Sequence, residues 1–301
     1  MEKLTSRPGR IRIAQAHRPI FYLPHLVAEA IGAFERRSIT TELVAMETSD
    51  QWRVLNAGEA DVAIGGPMRS MKLSEEGQRI VTFAAAVAAS PWVLVGSPDA
   101  PVIDEPRALA GRTLFDDPEI ATARLCLRGL LNRAEIGPPG LTISMRPRDE
   151  LLAQLEVRDD VLALVPMEAA APALERGLVR IVAKLGRWTG PLPWSAYQVL
   201  PDVLERRQAE MEAFSEAIAE GLLAIREEPL RRLVRLVGPW FPSVGDAVLR
   251  AVLHAYRDMG VWAATPLVSK TDFDRFASLL VAAGWLRAIP PYDQLVTTPG
   301  G

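Results

Sequence analysis

Cysteine is almost absent from the sequence: Cys126 is the only one in 301 residues. A single cysteine excludes an internal disulfide framework and any zinc or iron–sulfur site that needs several cysteines. Histidine is also scarce, and His17 and His25 are eight residues apart, which is not the spacing of a helical pair of metal ligands. A metal site would need distant carboxylates, so we predict no metal and no organic cofactor.

Neither sign of charge dominates, because 34 Lys and Arg residues stand against 37 Asp and Glu residues, for a net charge of −3. A general nucleic-acid-binding protein shows a basic stripe, so we predict no nucleic acid among the partners. Only four of the basic residues are lysine, which leaves few candidates for Schiff-base chemistry. The many arginines have two interpretations: a GC-rich genome, or guanidinium groups that bind an anion bidentately.

Common catalytic and phosphate-binding motifs are missing as well: G-x-x-x-x-G-K-[ST], G-x-G-x-x-G, H-E-x-x-H and G-x-S-x-G do not occur. No apolar run of the kind that a secretory signal needs precedes residue 11. We therefore expect a cytoplasmic chain, or a periplasmic one if a leader has been trimmed. The longest uncharged stretch, 80–98, is broken by proline and glycine, and we interpret it as two buried strands rather than a membrane span.

The first 70 residues alternate between strand and helix patterns. The predicted elements, in chain order, are a strand at 11–14, a helix at 21–34, a strand at 41–46, a helix at 51–56 and a strand at 62–64. Strands that alternate with helices predict a parallel sheet in an α/β lobe. Further strands are expected at 81–89 and 92–95.

A second α/β unit is predicted between residues 107 and 185, with helices at about 119–132 and 150–156. From residue 201 onward the pattern changes to amphipathic helices, and no third sheet is expected. At about 150 residues per domain, a chain of 301 residues is long enough for two lobes.

The candidate site residues share one property: each falls at a strand end of one unit or at a crossing between the two. In open α/β sheets, ligands bind at the carboxyl ends of the strands. The candidate ligand-binding residues are Arg18, Phe21, Tyr22, Ser49, Trp52, Gly66, Arg69, Trp92, Thr122 and Glu168.

Each of these turns also has a simpler interpretation. Ordinary helix capping accounts for any one of them alone, and Glu168 is either a partner for a ligand cation or a cap. The aromatic residues would also serve to pack two lobes together. Near Thr122, the acids Asp116, Asp117 and Glu119 oppose tight phosphate binding, so hydrogen bonding from Thr122 and the backbone is expected there.

Three segments stand in a fixed order: R-P-I-F-Y-L-P, then I-G-A-F-E-R-R-S-I, then L-N-A-G-E-A-D-V-A-I-G-G. In this order they resemble the SsuA/THI5-like (NMT1-type) solute-binding proteins of ABC transporters. Gly32 to Glu35 and Gly58 to Asp61 fit the family pattern, whereas Ser38 stands where the family usually has glycine. The likeness extends to Val261-Trp262 and to the C-terminal tail.

The resemblance implies a type II periplasmic-binding-protein fold, in which two α/β lobes close on a small molecule. Lobe one would comprise residues 1–95 and 193–301, with a helical C-terminal tail packed on it, and lobe two would be the insertion 96–192. The partners implied are a small-molecule ligand and an ABC permease, without catalysis. The alternative is a cytoplasmic enzyme or ligand sensor on the same fold, similar to the thiamine-pyrimidine synthases. Those enzymes carry a cysteine-rich motif and a pyridoxal-phosphate lysine, whereas this chain has Cys126 alone and no lysine in the corresponding segments.

The candidate residues also suggest the character of the ligand. Phe21, Tyr22, Trp52 and Trp92 offer too much ring surface for a bare inorganic ion, and nearby arginines supply donors for an anion. We therefore expect a small organic compound with a flat or apolar body and an anionic or strongly polar group, such as a sulfonate or a pyrimidine-like heteroaromatic. On this interpretation, Arg18→Ala weakens binding roughly ten- to a hundredfold.

Overall fold

The computed structural model describes residues 9–47, 50–116, 121–137, 141–145 and 161–297. Their strands form two five-stranded sheets, and helices pack on both. The predicted two-lobed α/β architecture with a helical C-terminal region is confirmed. The predicted helix at 150–156 and the candidate residue Ser49 lie outside the described residues.

The first sheet has the strand order β2-β1-β3-β10-β4. Its strands are β1 (Gly9–Gln15), β2 (Ile39–Ala45), β3 (Val62–Gly65), β4 (Val81–Val87) and β10 (Ser195–Val199). The first three are parallel, as the alternating pattern predicts, because helices connect them. Strand β10 runs antiparallel to both of its neighbours, so the sheet is mixed.

The second sheet repeats this arrangement with the order β7-β6-β8-β5-β9. Its strands are β5 (Trp92–Gly96), β6 (Arg112–Asp116), β7 (Leu141–Met145), β8 (Val161–Pro166) and β9 (Arg180–Lys184). Here β5 is the strand that runs antiparallel to its neighbours. In each sheet, the antiparallel strand is the one that directly follows a crossing from the other lobe: β10 in the first sheet and β5 in the second.

The crossings between the lobes lie just before β5 and just before β10. They run side by side, since Leu192 N–H donates to the Ala88 carbonyl over 2.9 Å. The sequence-based boundary after residue 95 assigns Trp92–Val95 to lobe one, but in the structure this strand pairs only within the second sheet. No charged residue separates β4 from β5, so the short break at Ser90-Pro91, where the chain crosses, is only a weak signal of the lobe boundary.

The α-helices connect the strands of the two sheets and then form the C-terminal region. In the two sheets they are α1 (Leu23–Ala30), α2 (Gln51–Asn56), α3 (Met68–Ser74), α4 (Ala121–Arg133), α5 (Met167–Glu175) and α6 (Leu185–Thr189). In the C-terminal region they are α7 (Pro201–Arg206), α8 (Gln208–Glu227), α9 (Leu230–Val237), α10 (Asp246–Asp258), α11 (Lys270–Ala282) and α12 (Tyr292–Leu295).

The C-terminal region packs on both lobes, not on lobe one alone. Helix α8 lies against α1 of the first lobe, as expected. Helices α10 and α11, however, lie against α5 and α4 of the second. The approach of α4 to α11 is close because Gly129 presents no side chain: a Cβ there would lie 2.3 Å from the Leu279 carbonyl oxygen. Asn132 Nδ2 also donates to the Ala282 carbonyl over 2.8 Å.

An ion-pair cluster fixes the start of the C-terminal region to lobe one. Asp61, at the turn before β3, accepts hydrogen bonds from the backbone and side-chain nitrogens of Arg12. Arg207, just before α8, lies 2.9 Å from the same carboxylate. Burial tends to raise the pKa of Asp61, but the hydrogen bonds and charges of the two arginines lower it overall. In the described residues, no helix is both long and apolar enough to cross a membrane.

Candidate functional site

A cavity of about 260 Å³ lies between the two lobes, where the strand ends of both sheets meet. Lobe one supplies the turn after β1, the start of α2, the end of β3 and the start of α3. Lobe two supplies the starts of β5, α4 and α5. The lining residues are Ala16, His17, Arg18, Pro19, Phe21, Tyr22, Met46, Gln51, Ile64, Gly65, Gly66, Arg69, Trp92, Ala121, Thr122, Pro166, Glu168, Trp194 and Ser195.

Most of the residues predicted from sequence come together here. The cavity is lined by Arg18, Phe21, Tyr22, Gly66, Arg69, Trp92, Thr122 and Glu168. Trp52 is not among the lining residues; it packs against a separate apolar cluster that contains Val54 and Ile80. Successive residues of a helix point about 100° apart, so the first residue of α2, Gln51, faces the cavity and Trp52 does not.

Arg69, in the first turn of α3, places a half-buried guanidinium at the cavity. Burial lowers its pKa, and only the neighbouring Tyr22 acts in the opposite direction. Across the described ranges, Arg69 makes no ion pair and no side-chain hydrogen bond. Since a guanidinium stays protonated, its charge is partly removed from water here without a described carboxylate in contact with it to balance the charge.

Arg18 also lines the cavity, but it is exposed to solvent. Its charge contributes, after burial, to lowering the pKa of His25. An anion held by Arg18 would share that contact with water, which weakens the bond relative to a buried one. Of the two arginines, Arg69 is therefore the stronger candidate for anion binding.

Aromatic rings form one wall of the cavity. The rings of Trp92 and Trp194 lie 5.3 Å apart, and those of Trp92 and Phe21 lie 5.7 Å apart. Tyr22 packs edge-on against Phe21 at 5.0 Å. Burial raises the pKa of the Tyr22 phenol, and the neighbouring Ser195 side chain and Arg69 charge oppose this rise. The wall combines flat apolar surface with a protonated hydroxyl.

Two contacts join the lobes across the cavity. The Ile20 backbone N–H of lobe one donates to Glu168 Oε2 of lobe two over 2.7 Å. Thr122 Oγ1 of lobe two donates to Met68 Sδ of lobe one over 3.2 Å. Glu168 thus holds the two lobes together, in addition to facing the cavity. Ile20 and Glu168 are 148 residues apart in sequence, and a local pattern cannot indicate a bond over that distance. The sequence therefore suggested only a helix cap or a ligand contact for Glu168.

Several of the described lining residues were not among the predicted ones, and they include Gln51, Trp194 and Ser195. Ser195 begins β10, a strand that was not predicted because it has five residues and all of them are buried, so no alternation marks it. Trp194 lies near the second crossing between the lobes, and this position could have identified it as a lining residue. Gln51 lies at the predicted start of α2, and this position could have identified it in the same way.

His25, on α1 behind the cavity, is 1% exposed. Its Nδ1 lies 3.0 Å from the Tyr197 hydroxyl, and its Nε2 is enclosed without a hydrogen-bond partner. Burial, and secondarily the charge of Arg18, lowers the pKa of His25 from 6.5 to about 3. The imidazole is therefore neutral in the folded protein at neutral pH.

This buried imidazole is expected to make the protein less stable in mild acid. Between about pH 6.5 and pH 3, the unfolded chain binds a proton at residue 25 that the folded chain does not, so the free energy of unfolding falls as the pH falls. From pH 7 to pH 5 the expected loss is about 2 kcal/mol. Urea unfolding at both pH values measures it.

In His25→Leu this contribution to the pH dependence should disappear, although the variant is less stable overall because Tyr197 loses its partner. The matched control is His254→Gln, since the side chain of His254 is 64% exposed. The control should keep the pH dependence of the wild type. An unchanged difference between pH 7 and pH 5 in His25→Leu would contradict the assignment.

The one cysteine of the sequence, Cys126, is not among the residues that line the cavity. Cys126 is fully buried in α4, and burial raises the pKa of its thiol to about 12. It therefore remains a thiol at neutral pH, which is not the nucleophilic form. Over the described ranges, no group of three or more His, Cys, Asp or Glu side chains is placed to hold a metal ion.

Comparison with known proteins agrees with this architecture. Residues 21–152 match the family model NMT1/THI5 like. The "Putative binding protein YtlA" of Bacillus subtilis (strain 168) is 19% identical over 299 residues, which cover 95% of this chain and 87% of YtlA.

Two crystal structures share the fold at low sequence identity. The periplasmic aliphatic sulphonate binding protein SsuA of Escherichia coli is 15% identical, with a TM-score of 0.71 over 97% of this chain and 93% of its own. The ligand-binding component of an ABC-type import system from Staphylococcus aureus, determined with zinc bound, is also 15% identical. Its TM-score is 0.72 over 96% of this chain and 97% of its own. Part of the chain is therefore similar to the NMT1/THI5-like family, and the protein has a periplasmic-binding-protein fold.

Proposed function

We propose that the protein is a solute-binding protein of the ABC import type. Its ligand is a small organic compound with a flat or apolar body and an anionic group, such as a sulfonate or a pyrimidine-like heteroaromatic, and an ABC permease is its partner. The ligand lies in the cavity between the lobes. The names of the similar proteins, a sulphonate-binding protein and an ABC import component, support the class of function.

The observation that carries the proposal is the guanidinium of Arg69 beside the aromatic wall. Its burial has a cost that no described carboxylate offsets, and a bound anion would offset it. The rings of Phe21, Trp92 and Trp194 provide a surface for a flat or apolar body rather than for a bare ion. The cavity volume of about 260 Å³ suits a compound of few atoms.

Closure of the lobes supports a binding role. The Glu168 contact to Ile20 and the Thr122 contact to Met68 both cross the cavity, so both would break when the lobes separate. A ligand that touches both lobes therefore favours the arrangement in which these contacts are present. Binding and closure are coupled on this account.

We propose that the protein binds its ligand without converting it. The state and position of Cys126 support this, because the one cysteine stays a thiol and does not line the cavity. The alternative is a synthase-like enzyme or sensor on the same fold, and such an enzyme would need a reactive group at the site. The two functions differ in the fate of the ligand. A binding protein returns the compound unchanged, whereas an enzyme returns a product.

Native mass spectrometry of freshly purified protein tests the proposal. We expect a fraction of molecules to carry one small anionic organic compound, which denaturation releases with its mass unchanged after incubation with the protein. A released compound without an acidic or strongly polar group would contradict the ligand class. A change in its mass during incubation would favour the enzyme.

A further inference from the structure

A buried chain of hydrogen bonds leads from the sheet of lobe one to the cavity. Gln198, on β10, is completely buried, and its Nε2 donates to Ser70 Oγ over 2.9 Å and to Thr82 Oγ1 over 3.1 Å. Its Oε1 accepts a hydrogen bond from Gln51 Nε2. Gln51 is the end of the chain of bonds and lines the cavity.

In this series of hydrogen bonds, Ser70 determines which atom donates and which accepts in each of the other bonds. The Ser70 hydroxyl donates to the Pro67 carbonyl over 2.8 Å, so its oxygen is an acceptor toward Gln198. Gln198 must therefore turn its amide nitrogen to Ser70 and its carbonyl oxygen to Gln51. For the same reason Gln51 must turn its nitrogen to Gln198, and the amide of Gln51 is not free to flip.

The remaining polar atom of this amide is an acceptor on the cavity side. The amide of Gln51 lies beside Gly65, which also lines the cavity: a Cβ at Gly65 would lie 3.5 Å from Gln51 Oε1 and 3.7 Å from Nε2. Since Nε2 donates to Gln198, Oε1 is the polar atom of this amide that remains for a ligand. Among the residues that the structure describes, none donates a hydrogen bond to Gln51 Oε1. The protein does not enclose Gln51 Oε1 completely, so this oxygen can accept a hydrogen bond from a ligand in the cavity. A ligand that displaces water from Oε1 without supplying a donor leaves the oxygen unsatisfied.

We propose that Gln51 is a specificity-determining residue that selects ligands with an N–H or O–H donor in addition to their anionic group. This inference rests on the proposed function and extends it. Arg69 recognises the acid, the aromatic wall takes the body, and Gln51 Oε1 accepts from the donor. A compound that has the acid and the ring but no donor leaves Gln51 Oε1 unsatisfied and binds less tightly.

Calorimetry with three probes tests the inference: benzenesulfonate, 3-aminobenzenesulfonate and 4-aminobenzenesulfonate. The full-length wild type should bind at least one of the amino compounds about three- to tenfold more tightly than benzenesulfonate, as one neutral hydrogen bond provides. Gln51→Met should lose the preference for the amino compounds over benzenesulfonate. Gln208→Met, at an exposed glutamine of α8, is the matched control and should keep it.

Equal affinity of the wild type for all three probes would overturn the inference, while leaving the proposed ligand class intact. A preference that persists in Gln51→Met would overturn it as well. Binding of none of the probes would overturn the ligand class, and this inference with it. If Gln51→Met does not fold, a crystal structure of the wild type with the preferred amino compound decides. The amine should lie about 3 Å from Gln51 Oε1, and an amine directed elsewhere would refute the assignment.

Discussion

Arg69→Met is expected to weaken the binding of benzenesulfonate by roughly ten- to a hundredfold, because it removes a charge-assisted hydrogen bond worth about 1.5–3 kcal/mol. The effect should be large because the guanidinium is half-buried and has no described carboxylate partner, so water screens its attraction for an anion less than at an exposed site. Methionine keeps much of the side-chain volume, which limits structural disturbance. Calorimetry on folded variants measures the change.

Two further variants separate the local effect from the change in net charge. Arg235→Met removes the same charge from an exposed position of α9 and should leave the affinity unchanged. Arg18→Ala should weaken binding less than Arg69→Met, since Arg18 is exposed to solvent. An affinity of Arg69→Met within twofold of the wild type would show that the anion is held elsewhere.

Gly221→Ala is expected to destabilise the protein by about 3 kcal/mol. Gly221 lies on α8 where that helix crosses α1, and a Cβ there would lie 2.3 Å from the Pro24 carbonyl oxygen and 3.1 Å from Ala28 Cβ. Backbone atoms cannot rotate away as a flexible side chain would, so the helices must separate. Because α1 follows the turn that carries Phe21 and Tyr22, the loss of packing also reaches the cavity wall.

Urea unfolding at neutral pH measures this loss. The matched control is Gly238→Ala, because a Cβ at that position meets no atom within 4 Å and its φ of −48° is ordinary for alanine. The control should change the free energy of unfolding by less than about 0.5 kcal/mol. Equal stability of Gly221→Ala and the control would contradict the close approach of α1 and α8.

The order of strands and helices could be predicted from sequence because the chain signals it locally. Apolar alternation marks β1 and β2, and glycine pairs end β3, so the first sheet is readable without a structure. Strand β10 could not be predicted in this way. It is short, buried over its whole length and inserted antiparallel between β3 and β4, so the tertiary structure determines it rather than a local pattern.

The sequence was sufficient to predict which turns form the site, but not which side chains of those turns face the cavity. Because strand ends were expected to meet at one edge, the sequence placed Tyr22, Arg69 and Thr122 at one site, and in the structure all three line the same cavity. It could not distinguish Gln51 from Trp52, because the direction of a side chain at a helix start depends on where the first turn begins. The lobe contact of Glu168 joins residues far apart in sequence, and no spacing rule predicts such a pair.

A crystal structure of the protein with benzenesulfonate tests the central claim most directly. The account predicts that the compound lies between the lobes, with a sulfonate oxygen about 3 Å from the guanidinium of Arg69 and the ring against Trp92 or Phe21. It also predicts that the hydrogen bond between Glu168 and the Ile20 backbone is present in the complex. A compound bound outside the cavity, or a sulfonate directed away from Arg69, would contradict the account.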